Sequence, residues 1–312
     1  MHETPVDSIL LLGFGGPTRP EEIMPFLRRV VEGRGIPEER LAQVEQHYLE
    51  VGGRSPYNEQ TEVLRAALEA RLRARGPGLP VYTGMRNWHP FLSDTFRAMH
   101  ADGRRRCVGV ILATHRSEAS HPRYLADVAR SAEEAGTPAP ELDLLPPWFD
   151  HPRFHAAVAA RIEEGSPYRR GAWPAAVPLV FTAHSIPVRM AESSTYVSDV
   201  RRSCEGTARL LGVSDWRIAY QSRSGDPRSP WLEPDINEAL RGLAGGGARE
   251  VVVQAIGFLS DHVEVLYDLD VEARATAAAH GLTLHRTPCV GAHPEFVTLL
   301  AESILEATGI AA

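Results

Sequence analysis

Lysine does not occur in this sequence: all 33 basic side chains are arginine. Schiff-base and pyridoxal-phosphate chemistry needs a lysine amine, a Walker-type phosphate loop needs a Gly-Lys-Ser/Thr turn, and a Ser-Lys hydrolase needs a lysine base, so all three are excluded. Cysteine is nearly as scarce. Cys107, Cys204 and Cys289 lie far apart with no CxxC spacing, which excludes a disulfide framework and an all-cysteine zinc or iron–sulfur site drawn from one chain. Apolar runs fall far short of a membrane span, and residues 1–7 lack the cationic start and long apolar core of a secretory signal. A cytoplasmic location is therefore expected, with peripheral contact at a membrane surface left open. Positive charge is not in excess either: 33 basic against 40 acidic residues give a net charge of −7, which excludes a general nucleic-acid binder.

What is present is ordinary globular composition, 43% hydrophobic and 23% charged over 312 residues, enough for one large or two medium domains. Short β-rich apolar runs alternate with helical stretches, the pattern of parallel α/β sheets. Strands are predicted at Ser8–Leu12, Val81–Gly84, Cys107–Ala113 and Glu141–Leu145, and again at Leu179–Ala183, Arg217–Gln221, Glu250–Gly257 and Thr283–His285. Amphipathic helices separate them, as at Glu59–Arg75, where Val63, Leu64, Ala67, Leu68 and Leu72 recur at helical spacing. The two halves repeat one plan. The predicted fold is α/β, with two similar doubly wound, Rossmann-like domains whose parallel sheets face a central cleft. The expected boundaries are 1–148 and 179–312, joined by a connecting segment 149–178, with the last helix, Pro294–Ala307, folding back onto the first domain.

Ligands of such sheets sit at the carboxyl ends of the strands, so the polar residues just after each apolar run are the candidates. Gly13-Phe14-Gly15-Gly16-Pro17 follows the first strand but lacks GxGxxG and a suitably placed acid for a ribose, so a nucleotide cofactor is not supported. His184 ends the fifth strand, and a neutral imidazole there can act as a base or a metal ligand. After the seventh strand, Asp261 and Glu264 have the spacing of a helix-capping box, which explains two acids without any function. It leaves out Asp268 and Glu272. Glu264, Asp268 and Glu272 recur at i, i+4 and i+8 with no basic residue among them, a like-charged stripe that calls for water or a cation. The common plan puts His184 and Glu264 on neighbouring strand ends, a pair suited to taking protons or binding a divalent metal. One histidine and one carboxylate are too few for structural zinc, so an open, transient metal position fits better.

Seven segments then go beyond physical patterning: Leu11-Leu12-Gly13-Phe14-Gly15-Gly16-Pro17, Gly52-Gly53-Arg54-Ser55-Pro56, Arg86-Asn87-Trp88-His89-Pro90, Phe181-Thr182-Ala183-His184-Ser185-Ile186-Pro187, Tyr220-Gln221-Ser222-Arg223-Ser224-Gly225, Pro230-Trp231-Leu232-Glu233-Pro234, and Gly257-Phe258 through Glu264 to Asp270. In this order they resemble the ferrochelatases, enzymes that insert Fe2+ into a porphyrin, and are most similar to the Gram-positive branch that uses coproporphyrin III and makes coproheme. The resemblance implies a chelatase-like fold, His184 and Glu264 as catalytic residues, and a metal path through His184, Glu264, Asp268 and Glu272. It also implies porphyrin contacts from Phe14, Tyr48, Ser55, His115, Tyr124 and Trp231. The expected partners are a porphyrin and ferrous iron, the latter as substrate; no permanently bound cofactor is expected, and the chain is expected to act as a monomer. His121 stands where close relatives carry a cysteine that ligates a [2Fe–2S] cluster, so no cluster is expected. Arg116 and Glu118 would place new charges on a porphyrin-facing wall, and Ala255 stands where relatives usually have proline. These departures keep two alternatives in view: a paralogue acting on another metal or chelating ligand, and a non-catalytic tetrapyrrole carrier.

Overall fold

The computed structural model describes residues 4–76, 78–118, 120–224 and 229–309. They fall into two compact units. The first comprises residues 4–113, 120–146 and 291–309. Its chain runs β1 (Ser8–Gly13), α1 (Ile23–Val30), α2 (Glu38–Glu50), α3 (Tyr57–Arg75), β2 (Val81–Met85), α4 (Leu92–Ala101), β3 (Arg106–Ile111), α5 (His121–Ala135) and β4 (Glu141–Leu144). The strands form one parallel sheet in the order β2-β1-β3-β4. All six residues of β1 are buried, as expected of a central strand covered by helices on both faces. The terminal helix Pro294–Thr308 packs on α3 within this unit.

The second unit comprises Thr114–Glu118 and Pro147–Val290. It contains α6 (Pro152–Gly165), β5 (Leu179–His184), α7 (Val188–Glu192), α8 (Tyr196–Leu211), β6 (Trp216–Gln221), α9 (Ile236–Gly245), β7 (Glu250–Gln254), α10 (Val263–Val265), a π-helical stretch Leu266–Ala273, α11 (Arg274–Ala279) and β8 (Thr283–Thr287). The sheet order β6-β5-β7-β8 repeats that of the first unit, again wholly parallel. Within it, Val180, Ala219, Val251 and Val253 of the sheet meet Leu240, Val265 and Leu269 of the helices in one apolar cluster.

All eight expected strands are present. Three end early: β3 stops at Ile111, β4 at Leu144 and β7 at Gln254 rather than Gly257. After Gln254 the backbone turns, and the Gly257 N–H donates to the Thr182 carbonyl of β5 at 3.0 Å instead of continuing the ladder. Residues 149–178, read from the sequence as a connector, carry α6, which packs on α8 inside the second unit.

Candidate active site

In doubly wound sheets the binding crevice lies at the strand carboxyl ends, where the strand order reverses. In the second unit that place is between β5 and β7. His184 is the last residue of β5, and Glu264 lies in the first turn of the helix after β7. A hydrogen bond fixes the imidazole: Nδ1–H donates to the Ser185 carbonyl at 2.5 Å, which leaves Nε2 facing Glu264 Oε1 at 3.7 Å. The His184 carbonyl accepts from the Tyr196 hydroxyl at 2.9 Å. Both side chains remain partly open, His184 at 32% and Glu264 at 38% exposure.

The acids of residues 261–272 are sorted by their partners. His262, not Asp261, caps the helix, its Nδ1 accepting the Glu264 N–H at 3.3 Å. Asp261 is drawn away by the buried Arg286 of β8, at 3.1 Å, which also holds Asp270 at 2.7 Å. Glu264 and Asp268 are left toward the strand ends. Ser222 donates to Asp268 Oδ2, and Gln221 Nε2 donates to the Glu264 carbonyl at 2.8 Å. The stripe predicted at helical spacing runs from half-buried Glu264 and Asp268 to exposed Glu272, through a π-helical segment, a form frequent at functional sites.

His184 and Glu264 shift in opposite directions. Burial disfavours the imidazolium, but the facing Glu264 carboxylate outweighs it and raises the His184 pKa above its ordinary value. Burial pushes the Glu264 carboxyl up, yet His184 and then His262 bring it down to about 2. Asp268 is pushed up to about 7, first by burial and further by Glu264 and Glu272, against the hydrogen bond from Ser222. Among the described residues, no three His, Cys, Asp or Glu side chains are gathered closely enough to hold a metal ion.

Four of the six expected porphyrin contacts lie in the first unit. Phe14 follows β1 with 38% exposure, its N–H donating to the Tyr57 hydroxyl at 3.0 Å. Tyr48 is buried and lies edge-on to Phe26, and exposed Phe14 lies edge-on to the same ring, each with ring centres 6.3 Å apart. Ser55 is buried and accepts the Tyr57 N–H at 3.3 Å. Tyr124 is buried beneath the Arg86 guanidinium, 4.5 Å from its ring centre. The remaining two belong to the second unit. His115 is buried against Ser203 Oγ at 3.0 Å, and burial pulls its pKa down to about 3. Trp231 has the Arg223 guanidinium 6.0 Å from its ring centre.

The family model described as Ferrochelatase matches residues 6–308. The chain belongs to the ferrochelatase family. It is 40% identical to a ferrochelatase of Rhodopirellula baltica over 98% of this chain and 87% of that one. It is 41% identical to the coproporphyrin III ferrochelatase of Mycolicibacterium smegmatis (96% and 89% covered) and 43% identical to that of Mycolicibacterium paratuberculosis (96% and 88%). Solved structures are similar at the level of the fold. The sirohydrochlorin chelatase of Bacillus subtilis subspecies spizizenii, in complex with cobalt, gives a TM-score of 0.57 at 13% identity, covering 97% of this chain and 96% of that one. A multi-domain Deinococcus radiodurans protein with structural similarity to chelatases gives 0.61 at 16% identity, and this chain, 97% covered, spans 55% of it.

Against the ferrochelatase pattern, the charges of Arg116 and Glu118 are engaged inside the second unit. Arg116 Nε lies 3.3 Å from Asp199 Oδ2, and Glu118 accepts from the Ser193 hydroxyl at 2.7 Å. Sequence reasoning missed His262, Gln221, Ser222 and Tyr196 as site residues. The first three lie inside quoted motifs, and that placement was the one signal available for them.

Proposed function

We propose that this chain inserts Fe2+ into coproporphyrin III to give coproheme, with His184 and Glu264 as the reacting pair. Membership of the ferrochelatase family carries Fe2+ insertion into a porphyrin. The name shared by the mycobacterial relatives supports the finer substrate. The single observation that carries the mechanism is the His184 Nε2 lone pair held toward Glu264 by the Ser185 carbonyl. Insertion replaces two pyrrole N–H protons by one Fe2+, so two protons must leave. His184 Nε2 takes one, and the imidazolium so formed is balanced by Glu264, which stays ionised. A carboxyl held near pKa 2 is a poor base, so Glu264 serves as counter-charge and metal contact. Asp268, near 7, is better matched to pass the second proton outward. Asp268 and exposed Glu272 form the approach for Fe2+, whose hard oxygen preference suits carboxylates. Exposed Phe14 of the first unit and Trp231 of the second are the aromatic faces read as macrocycle contacts, whereas the Arg86 guanidinium is taken up by Asp127.

The reading includes a monomeric, cytoplasmic enzyme with no iron–sulfur cluster. Supporting it, no helix among the described residues is long and apolar enough to cross a membrane. The three thiols are buried, Cys107 in one unit and Cys204 and Cys289 in the other, each with its pKa raised by burial. The paralogue alternative took its motive from Arg116 and Glu118, and their local partners weaken that motive. The test mixes protein anaerobically with coproporphyrin III and Fe2+ and follows the porphyrin absorption spectrum. His184→Ala should abolish insertion with fluorescence quenching by bound porphyrin retained. Insertion by His184→Ala at the parent rate would remove the mechanism.

A further inference from the structure

Ser222 has a positive φ, 62°, the one non-glycine residue to do so among the described residues. A side chain with a Cβ disfavours this left-handed conformation, which persists where surrounding contacts hold it and clusters at functional sites. Here the hydroxyl donates to Asp268 Oδ2 at 2.5 Å. The preceding Gln221, 1% exposed, donates from Nε2 to the Glu264 carbonyl at 2.8 Å and lies 3.5 Å from Asp268 Oδ2. Its own carbonyl accepts the N–H of Ser185, next to His184, at 2.7 Å. Two consecutive residues at the end of β6 therefore tie together Glu264, Asp268 and the end of β5. The helix itself does not need them, because His262 caps it.

We propose that Ser222 is a positioning residue for ferrous-ion capture, acting through Asp268. Ser222 engages one oxygen of Asp268 and no hydrogen bond from the described residues holds the other, so the carboxylate is aimed before the cation arrives and loses less freedom on binding it. Among the described residues no hydrogen bond joins the hydroxyl to Nε2 of His184. Removing the hydroxyl keeps the Asp268 carboxylate that passes the second proton and loses its aim, so the effect falls on the dependence of rate on Fe2+ concentration. This inference rests on the ferrochelatase reading above.

The full chain is assayed anaerobically for kcat, for KM of Fe2+ and for KM of coproporphyrin III. Ser222→Ala and Ser222→Gly are both expected to raise the KM for Fe2+ about five- to tenfold, the net worth of one hydrogen bond, with kcat and porphyrin KM within about twofold. Glycine tolerates the backbone conformation, so agreement between the two variants assigns the effect to the hydroxyl. Ser222→Asn tolerates it as well and carries an N–H donor, and should restore KM to within about twofold of the parent. In an Asp268→Asn background, adding Ser222→Ala should change KM no further. Porphyrin fluorescence quenching shows that each variant is folded. A fall in kcat at unchanged KM for Fe2+, no change in the variants, failure of the asparagine to restore, or additive effects with Asp268→Asn would each overturn the role of Ser222. A parent chain that inserts no iron overturns the ferrochelatase reading instead.

Discussion

Gly257 stands so close to Ala183 that a Cβ at residue 257 would lie 2.7 Å from the Ala183 Cα. The obstacle is backbone, so no flexible side chain can swing aside. Ala183 precedes His184, and Gly257 begins the turn that leads to Glu264, so this contact sets the gap across which the pair meets. Gly257→Ala should lower kcat by at least about tenfold, since a misplacement of about 1 Å can cost on the order of 10² in rate. Porphyrin quenching should stay within about twofold of the parent. Single-turnover insertion decides the point, and a parent-like rate would show that the strand ends do not fix the pair.

His184 must be neutral at Nε2 to accept a pyrrole proton, and Glu264 holds its pKa above the ordinary 6.5. The rate at saturating substrates should therefore fall as pH drops through a value higher than 6.5. Glu264→Gln removes the charge that raises His184 while burial remains, so its acid limb should move to lower pH. Its plateau rate should fall by on the order of 10². Insertion rates from about pH 5 to 9 for both proteins test this. An acid limb that does not move would detach Glu264 from His184.

The inner strands were legible because they are short apolar runs bounded by turn residues, β1 being buried on both faces, whereas edge strand β4 has no buried residue. The end of β7 was not, because Ala255 and Ile256 continue the apolar run after the backbone has left the ladder for Thr182. His184 and Glu264 could be read as polar residues just past apolar runs at the strand ends. The cap could not: Asp261 has better capping chemistry than His262, and what removes it is Arg286, which only the folded β8 brings near. The same limit hid Ser222, whose left-handed backbone leaves no trace in composition or periodicity. Arg116 looked like a new charge on a porphyrin wall because its partner, Asp199, is distant in sequence.

That pairing changes what Arg116 is expected to do. Asp199 is buried, its side chain 4% exposed, and holds Arg116 Nε at 3.3 Å and the Thr195 hydroxyl at 2.9 Å. Arg116→Ser leaves this carboxylate short of a partner and should cost about 1–3 kcal/mol of stability. The readout is a lower denaturant midpoint at unchanged slope. Asp199→Asn should recover most of the loss in the double variant. A changed porphyrin affinity with parent-like stability would return Arg116 to the porphyrin wall.

Asp268 sets stability against metal capture. A carboxyl whose pKa rises on folding binds its proton more tightly in the folded chain than in the unfolded one. Stability contributed by this group therefore falls as pH climbs from the ordinary 3.8 through about 7, and the penalty is complete above that. Asparagine cannot ionise and still accepts the Ser222 hydroxyl. Asp268→Asn should thus melt higher than the parent at about pH 8, each 1 kcal/mol gained raising Tm by roughly 2 °C. The advantage should shrink toward about pH 4, where both side chains are neutral in the folded chain. The same variant should need more Fe2+ to reach half-maximal rate, because the carboxylate on the approach is gone. Melting curves at both pH values and the KM for Fe2+ decide it. A parent-like Tm at about pH 8 would show Asp268 to be an ordinary carboxylate, and a lower one would show that its ionised form supports the fold.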